Sequence, residues 1–326
     1  MSKLVTIYGG SGFVGRYIAQ RMARAGWRVR VAVRRPNEAL FVRTYGVVGQ
    51  VEPVLANIRN EASVAQAMQG ADAVVNCVGT FDKGGKNNFG AVQHEGAERI
   101  ARLAAAEGVE ALVHISAIGA DKDGDTLYAQ SKGRGEEAIL SHFPSAVILR
   151  PSVVFGAEDL FFNRFAGMTR LSPVLSIVGA ETKFQPVFVD DVAAAAELGV
   201  TGKAKPGVYE LGGPDVKTFR ALMQMMLEVI QRRRLIVNLP FGIARFMAWW
   251  FDLWQTLSGG LIKAPLTVDQ VKSLRHDNVV SEGAQGFADL GIEPRAMASV
   301  LPGYLWRFRA SGQYAAIKAS AKNLKT

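Results

Sequence analysis

The sequence predicts an α/β protein with a doubly wound parallel sheet and a smaller C-terminal lobe. Three observations carry that prediction. Short apolar runs alternate with helical patterns over the first part of the chain, as strands and helices do when helices cover both faces of a parallel sheet. The first run ends in a glycine-rich turn that opens a helix. Past about residue 150 the regularity weakens into the loop-rich stretches "SPVLSIVGAETKFQPV" and "GKAKPGVYELGGPD", which suit a second lobe built on the sheet edge.

The elements follow in order. The strand "LVTIY" leads into the helix "GFVGRYIAQRMARAG", and the strand "RVRVAV" into a helix near 37–45. Next come the strand "VEPVLA", a helix near 61–69, the strand "AVVNCV" and a long helix near 88–107. The strand "ALVHIS", the helix containing "YAQSK" and the strand "AVILR" complete the alternation. We expect residues 1–155 to form a Rossmann-like nucleotide-binding domain whose sheet can receive later strands. Residues 156–326 then form a mixed α/β and helical lobe with an aromatic amphipathic helix and a basic tail.

Nearly half of the 326 residues are hydrophobic (49%) and 21% are charged, so a substantial core is expected and the composition of a disordered chain is absent. The lone cysteine, Cys77, excludes a disulfide framework, a cysteine zinc site or an iron–sulfur cluster within this chain. His94, His114, His142 and His276 show no metal-ligand spacing, so no metal is expected. The formal net charge of +9 suits a plain basic surface, an anionic ligand, an anionic membrane or an acidic partner. No leader pattern precedes the strand that starts at Lys3, so we expect a protein that stays on the cytoplasmic side where it is made.

"GGSGFVG" contains Gly9, Gly10, Gly12 and Gly15, with Ser11, Phe13 and Val14 between them. Glycine there permits a tight turn and close approach of the backbone to a pyrophosphate, and the helix beyond it offers N–H groups and a positive dipole end. An NAD-preferring site would place an acid at the end of the second strand. That strand ends instead in Arg34 and Arg35, two cations suited to a ribose 2′-phosphate. NADP(H) is therefore the expected cofactor, against the plain alternative of a solvated basic turn. Nucleic acid is not expected as a partner, because these early arginines fall where a cofactor phosphate belongs.

These motifs, together with "NCVG", "HISAIGA", "YAQSK", "LRPSVVFG" and "FQPVFVDDVAAA", resemble the extended and atypical short-chain dehydrogenase/reductase superfamily over about the first 215 residues. The resemblance implies that Asn57 and Ile58 of "ANIRN" lie beside the adenine, with Asn57 replacing the usual acid. It implies that Val78 and Gly79 line the cofactor, and that Pro151, Ser152 and Val153 lie beside the nicotinamide. It assigns Ser116, Tyr128 and Lys132 to the catalytic positions. "RPSVVFGAEDLFFNRFA", "LPFGIARFMAWWFDLW", "PLTVDQVKSLRHDNVV" and "FADLGIEPRAMASVLPGYLWRFR" narrow the match. With them the chain resembles, over almost its whole length, the Rossmann-type accessory subunits of respiratory complex I and their bacterial counterparts. That implies tightly held NADPH, no turnover, and partners among the complex I subunits near the quinone-binding module. The implied location is peripheral, on the cytoplasmic side of a bacterial inner membrane.

Tyr128 and Lys132 are four residues apart and share one helix face, so they can either transfer a proton or grip a cofactor. In "ARFMAWWFDLWQTL", Phe246, Trp249, Trp250, Leu253, Trp254 and Leu257 form an apolar face too short to cross a bilayer. It is either a core helix of the small lobe or an interfacial helix meeting headgroups or a membrane-embedded partner. "QRRRL" and the terminal "IKASAKNLKT" add positive charge suited to an acidic surface. Three functions remain open: a non-catalytic cofactor-binding subunit, a free NADP-dependent reductase or epimerase, and an NADPH-sensing regulator.

Overall fold

The computed structural model describes residues 2–257, 266–310 and 312–314. In chain order its strands are β1 (Leu4–Tyr8), β2 (Arg28–Val33), β3 (Val51–Leu55), β4 (Ala73–Asn76), β5 (Ala111–Ile115), β6 (Val147–Pro151), β7 (Val154–Phe155), β8 (Val174–Val178), β9 (Lys183–Phe184), β10 (Val187–Phe188), β11 (Gly207–Leu211), β12 (Lys217–Thr218) and β13 (Leu235–Leu239). The helices are α1 (Phe13–Arg24), α2 (Glu61–Met68), α3 (Glu95–Ala106), α4 (Leu127–His142), α5 (Phe162–Met168), α6 (Val189–Val200), α7 (Phe219–Val229), α8 (Phe241–Leu257), α9 (Val268–Ser273) and α10 (Met297–Leu305).

The predicted fold class holds. A 7-stranded parallel sheet runs in the order β11-β6-β5-β4-β1-β2-β3, so strand order reverses beside β1 as in a doubly wound fold. All five residues of β1 and all four of β4 are buried, the pattern of strands covered on both faces. Leu112 packs with Ile100, Ala104 and Ile139 from α3 and α4, whereas its neighbour Val113 meets Gly199 of α6. Alternate residues of one strand thus bury against different helices. The helix α1 buries Gly15, Ile18, Ala19, Met22 and Ala23, the three-and-four spacing of one helical face. Arg21 of α1 pairs with Asp190 (2.7 Å) and Glu197 (3.2 Å) of α6.

Two elements differ from expectation. Pro36–Tyr45 is a 3₁₀ helix that buries only Ala39 and Val42, and a spacing of three suits three residues per turn. The helix expected near 88–107 opens with a π turn, Gly90–His94, before α3.

Where the sequence reading cuts the chain once, at 155/156, the compact units interleave. The first takes the chain up to Ser152, then Val189–Gly212 and Val280–Glu293. β11 is a late strand that returns to pair with β6, from Gly207↔Val147 to Leu211↔Pro151. The second unit takes Val153–Phe188, Gly213–Val279 and the chain from Pro294. Its core gathers Phe155, Phe162, Phe184, Phe219 and Tyr304 around α7 and α10, with Phe161 and Phe165 packed against it.

Within that second unit, α8 buries its small face, Ala244 and Ala248, against Val178 and Val271. Its large residues point outward: Phe246 is 67% exposed, Trp249 52%, Trp250 48% and Trp254 51%. The Leu257 side chain and the basic tail at 317–326 lie outside the described residues. Among the described residues no helix is long and apolar enough to cross a membrane.

Candidate cofactor site

The turn between β1 and α1 is a backbone cradle. Gly9 has φ +75°, in the left-handed region that favours glycine. A Cβ on Gly15 would lie 2.4 Å from the Gly9 carbonyl oxygen and 2.7 Å from Gly10 Cα, so only glycine fits. Gly12 caps α1 without a side-chain hydrogen bond, and the first turn carries no acid. The helix therefore presents its N–H groups and positive dipole end to an anion, a site that fits a pyrophosphate. Ser11, Phe13 and Val14 lie in the turn and the helix start, and Arg16 donates from Nη2 to the Ser11 carbonyl at 3.0 Å. Arg16 was not singled out from the sequence; its place one residue beyond the last loop glycine was the available signal.

Val78 lies against this cradle: a Cβ on Gly9 would meet Val78 Cγ2 at 3.3 Å and the Cys77 backbone at 3.2 Å. Gly79 follows, with open space around its α-carbon. At the end of β2, Arg34 and Arg35 are both exposed, but their surroundings differ. Arg35 pairs with Glu38 at 3.0 Å, whereas Arg34 has no ion pair among the described residues. After β3, the Asn57 side-chain oxygen accepts from the Arg59 N–H at 3.2 Å, and Ile58 is buried.

The other candidate residues lie on α4 and at the ends of β5 and β6. The α4 N-cap, Thr126, accepts from the Ala129 N–H at 3.1 Å, which fixes the start of the helix. Tyr128 stacks on Phe81 with ring centres 5.5 Å apart and meets Phe89 edge-on at 6.1 Å. Burial pushes its phenol up to about 12. Lys132 is buried, donates to the Ile115 carbonyl at 3.0 Å, and is lowered to about 8 by that burial, with Glu136 opposing the shift.

Ser116 does not stand free. Its hydroxyl donates to a carboxylate oxygen of Glu136, one turn beyond Lys132 on α4. Glu136 also receives Arg150 of β6 at 2.6 Å, and Arg150 reaches Glu210 of β11 at 3.5 Å. The buried Glu210 accepts from the Ser281 N–H at 2.8 Å. The network was legible in principle, because "VILRP" and "VYEL" each place one charge inside an apolar strand. A buried charge requires a partner. The Pro151 carbonyl accepts from the Ile118 N–H at 3.1 Å, and the backbone N–H of the buried Ser152 donates to the Leu211 carbonyl at 2.9 Å. Val153 begins the second unit.

Asn76 and His114 are register neighbours on β4 and β5. Both are buried, and neither His114 ring nitrogen nor the Asn76 amide nitrogen has a partner among the described residues. Burial holds His114 well below the usual imidazole range, with the Lys132 charge pushing the same way.

The family model described as NAD(P)H-binding matches residues 9–153. A relative in Arabidopsis thaliana, NADH dehydrogenase [ubiquinone] 1 alpha subcomplex subunit 9, is 33% identical, covering 95% of this chain and 79% of its own. The ceramide reductase of Caulobacter vibrioides is 27% identical over 78% of this chain and 79% of its own. Among solved structures, the Bordetella bronchiseptica enzyme WbmH in complex with NAD+ superposes with a TM-score of 0.66 at 18% identity, over 96% of this chain and 100% of that one. That likeness supports the fold.

Proposed function

The chain belongs to the family of the NADH dehydrogenase 1 alpha subcomplex subunit 9, and from that premise we propose that it is an accessory subunit of respiratory complex I that holds NADP(H) without turning it over. One observation carries this reading: sequence identity of 33% to the plant subunit runs over 95% of the chain and so includes the second unit, against 27% over 78% for the ceramide reductase.

A bound nicotinamide supplies a hydride donor or acceptor. The chain's own residues hold it. Backbone N–H groups of Gly9–Gly15 receive the pyrophosphate, Arg34 and Arg35 face the 2′-phosphate, and Asn57 with Ile58 flanks the adenine. Tyr128 and Lys132 grip the nicotinamide ribose, while Val78, Gly79, Pro151, Ser152 and Val153 line the ring. Ser116 serves a different end, since its hydroxyl is committed to Glu136. Catalysis requires a group that interacts more strongly with the transition state than with the ground state, and a serine engaged by a buried carboxylate is poorly placed for that. The partners are complex I subunits near the quinone module, with the chain peripheral on the cytoplasmic side of a bacterial inner membrane. The exposed aromatic face of α8 supplies the contact with lipid or a membrane-embedded partner.

A second reading, a free NADP-dependent reductase, is favoured by the retained Tyr128 and Lys132 and by the similarity to a ceramide reductase. The test is native purification of the untagged chain from membranes, with identification of its companions and its extracted nucleotide. Recovery with complex I subunits and NADP(H) is expected. A free soluble chain that oxidises NADPH over many turnovers with aldehydes or ketones, and stops when Tyr128 is replaced by Phe, overturns the proposal.

A further inference from the structure

Four arginines line one groove: Arg220 in the first turn of α7, and Arg232, Arg233 and Arg234 in the turn that follows it. The groove, about 630 Å³ in volume, is lined by Arg220, Glu228, Gln231, Arg232, Arg233 and Arg234 among others, so four cations face one carboxylate. These arginines are not needed to cap the helix, because the Val229 carbonyl at its end already accepts from Arg309 at 2.8 Å.

Two of them are fixed in place. Arg232 donates from Nε to the Phe308 carbonyl at 2.8 Å, and its Nη groups have no partner among the described residues. Arg234 donates from Nε to the Thr169 carbonyl at 3.0 Å and from Nη1 to Arg233 at 2.9 Å. Arg233 is exposed and its side chain has no ion pair among the described residues. Arg220 stands 3.5 Å from the exposed Glu181.

The turn is also strained. Gln231 has φ 54°, the one positive value at a non-glycine residue among those described. It donates to the Glu228 carbonyl and Arg232 to the Leu227 carbonyl, both at 3.0 Å, the pairing of a helix end that ordinarily takes glycine. Residues other than glycine adopt this conformation rarely. This helix end fixes the backbone from which Arg232, Arg233 and Arg234 project, and the Arg232 Nη groups and the Arg233 side chain have no ion pair among the described residues.

We infer that this groove binds a phosphate group, carried on an anionic lipid headgroup or free in solution. Guanidinium forks match phosphate oxygens in pairs, and pre-fixed arginines lose little side-chain entropy on binding. The site lies wholly in the second unit and uses none of the cofactor-binding residues, so its failure leaves the cofactor reading untouched.

The full chain is assayed in two arms: sedimentation with phosphatidylcholine vesicles with or without phosphatidylglycerol, and thermal shift in inorganic phosphate against chloride at equal ionic strength. Wild type should respond in at least one arm, and Arg220→Glu with Arg233→Glu should weaken that response about tenfold. Arg232→Lys, which keeps the charge and loses the fork, should weaken it less. A response to phosphatidylglycerol alone assigns the headgroup, and one to inorganic phosphate alone assigns a soluble ligand. Wild type silent in both arms, or a double variant that retains the full response with its cofactor bound, overturns the site.

Discussion

The Ser116 hydroxyl and the Glu136 carboxylate are joined by a hydrogen bond that ties the end of β5 to α4, the helix bearing Tyr128 and Lys132. The same carboxylate holds Arg150, so one buried group fixes two strands and a helix. Ser116→Ala should therefore cost about 1–2 kcal/mol of stability by leaving Glu136 one donor short, with the cofactor still bound. Glu136→Ala should cost more than Ser116→Ala, because it removes the acceptor of Ser116 and the closer of Arg150's two carboxylate partners, leaving Arg150 only Glu210 at 3.5 Å. Urea unfolding of both variants checks the order. A Ser116→Ala variant of unchanged stability that loses a measurable reductase activity would show the serine working on substrate instead.

Arg34 and Arg35 separate in the same way. Arg35 already satisfies Glu38, while Arg34 has no ion pair among the described residues. Arg34→Ala should lower NADPH affinity by about 1.5–3 kcal/mol and leave NADH affinity nearly unchanged. Arg35→Ala should cost less. Calorimetric titration with each nucleotide measures the difference, and equal losses for NADPH and NADH would remove the 2′-phosphate from the account.

Lys132 gives the cofactor a pH signature. Its pKa in the folded chain is about 8, below the usual 10.5, so the unfolded chain keeps the proton to higher pH. Without cofactor, stability should therefore rise as pH climbs from about 8 toward 10.5, as the buried charge is relieved. If the charged amine grips the ribose, NADPH affinity should be level below about 8 and fall above it, by at most about tenfold per unit. Lys132→Met should bind weakly with a flat profile. An affinity that ignores pH across this range would mean the ribose is held by other groups.

The parts of the site set by local backbone geometry could be read from the sequence. Gly9–Gly15 announces a tight turn of the kind that fits a phosphate, because Gly15 packs on the Gly9 and Gly10 backbone with no room for a Cβ. Ser116 was harder. Its residue type and its position after β5 are plain, but whether the hydroxyl faces a ligand or α4 depends on which residue ends the strand, and one residue of register reverses the answer. The sequence lets the sheet receive a later strand but does not single out β11, because "VYEL" is short and lies within a loop-rich stretch. Its pairing with β6 depends on contacts about sixty residues apart in sequence.

His114 carries a second pH dependence, with the opposite range. Burial holds its imidazole neutral well below 6.5, whereas the unfolded chain takes up a proton as pH falls below about 6.5. Stability should decline there by up to about 1.4 kcal/mol per pH unit. Since neither ring nitrogen has a partner among the described residues, His114→Leu should be neutral or stabilising at neutral pH and should flatten the acid slope. Denaturation midpoints followed from neutral to acid pH decide it. A variant that is strongly destabilised at neutral pH would show that the ring is hydrogen-bonded in solution.

The aromatic helix distinguishes a core role from an interface role. α8 turns Ala244 and Ala248 inward and leaves Trp250 and Trp254 about half exposed, so the isolated fold gains little from the tryptophans. Trp250→Glu with Trp254→Glu should accordingly change stability by less than about 1 kcal/mol, the range of surface substitutions. The same pair placed against headgroups or an apolar partner would force two carboxylates out of water, which is strongly unfavourable. Detergent-extracted complex should then contain the double variant at a small fraction of the wild-type level, while the purified chain melts at nearly the wild-type temperature. Normal incorporation would remove α8 from the interface. A collapse of the melting temperature in the isolated chain would return the tryptophans to its own core.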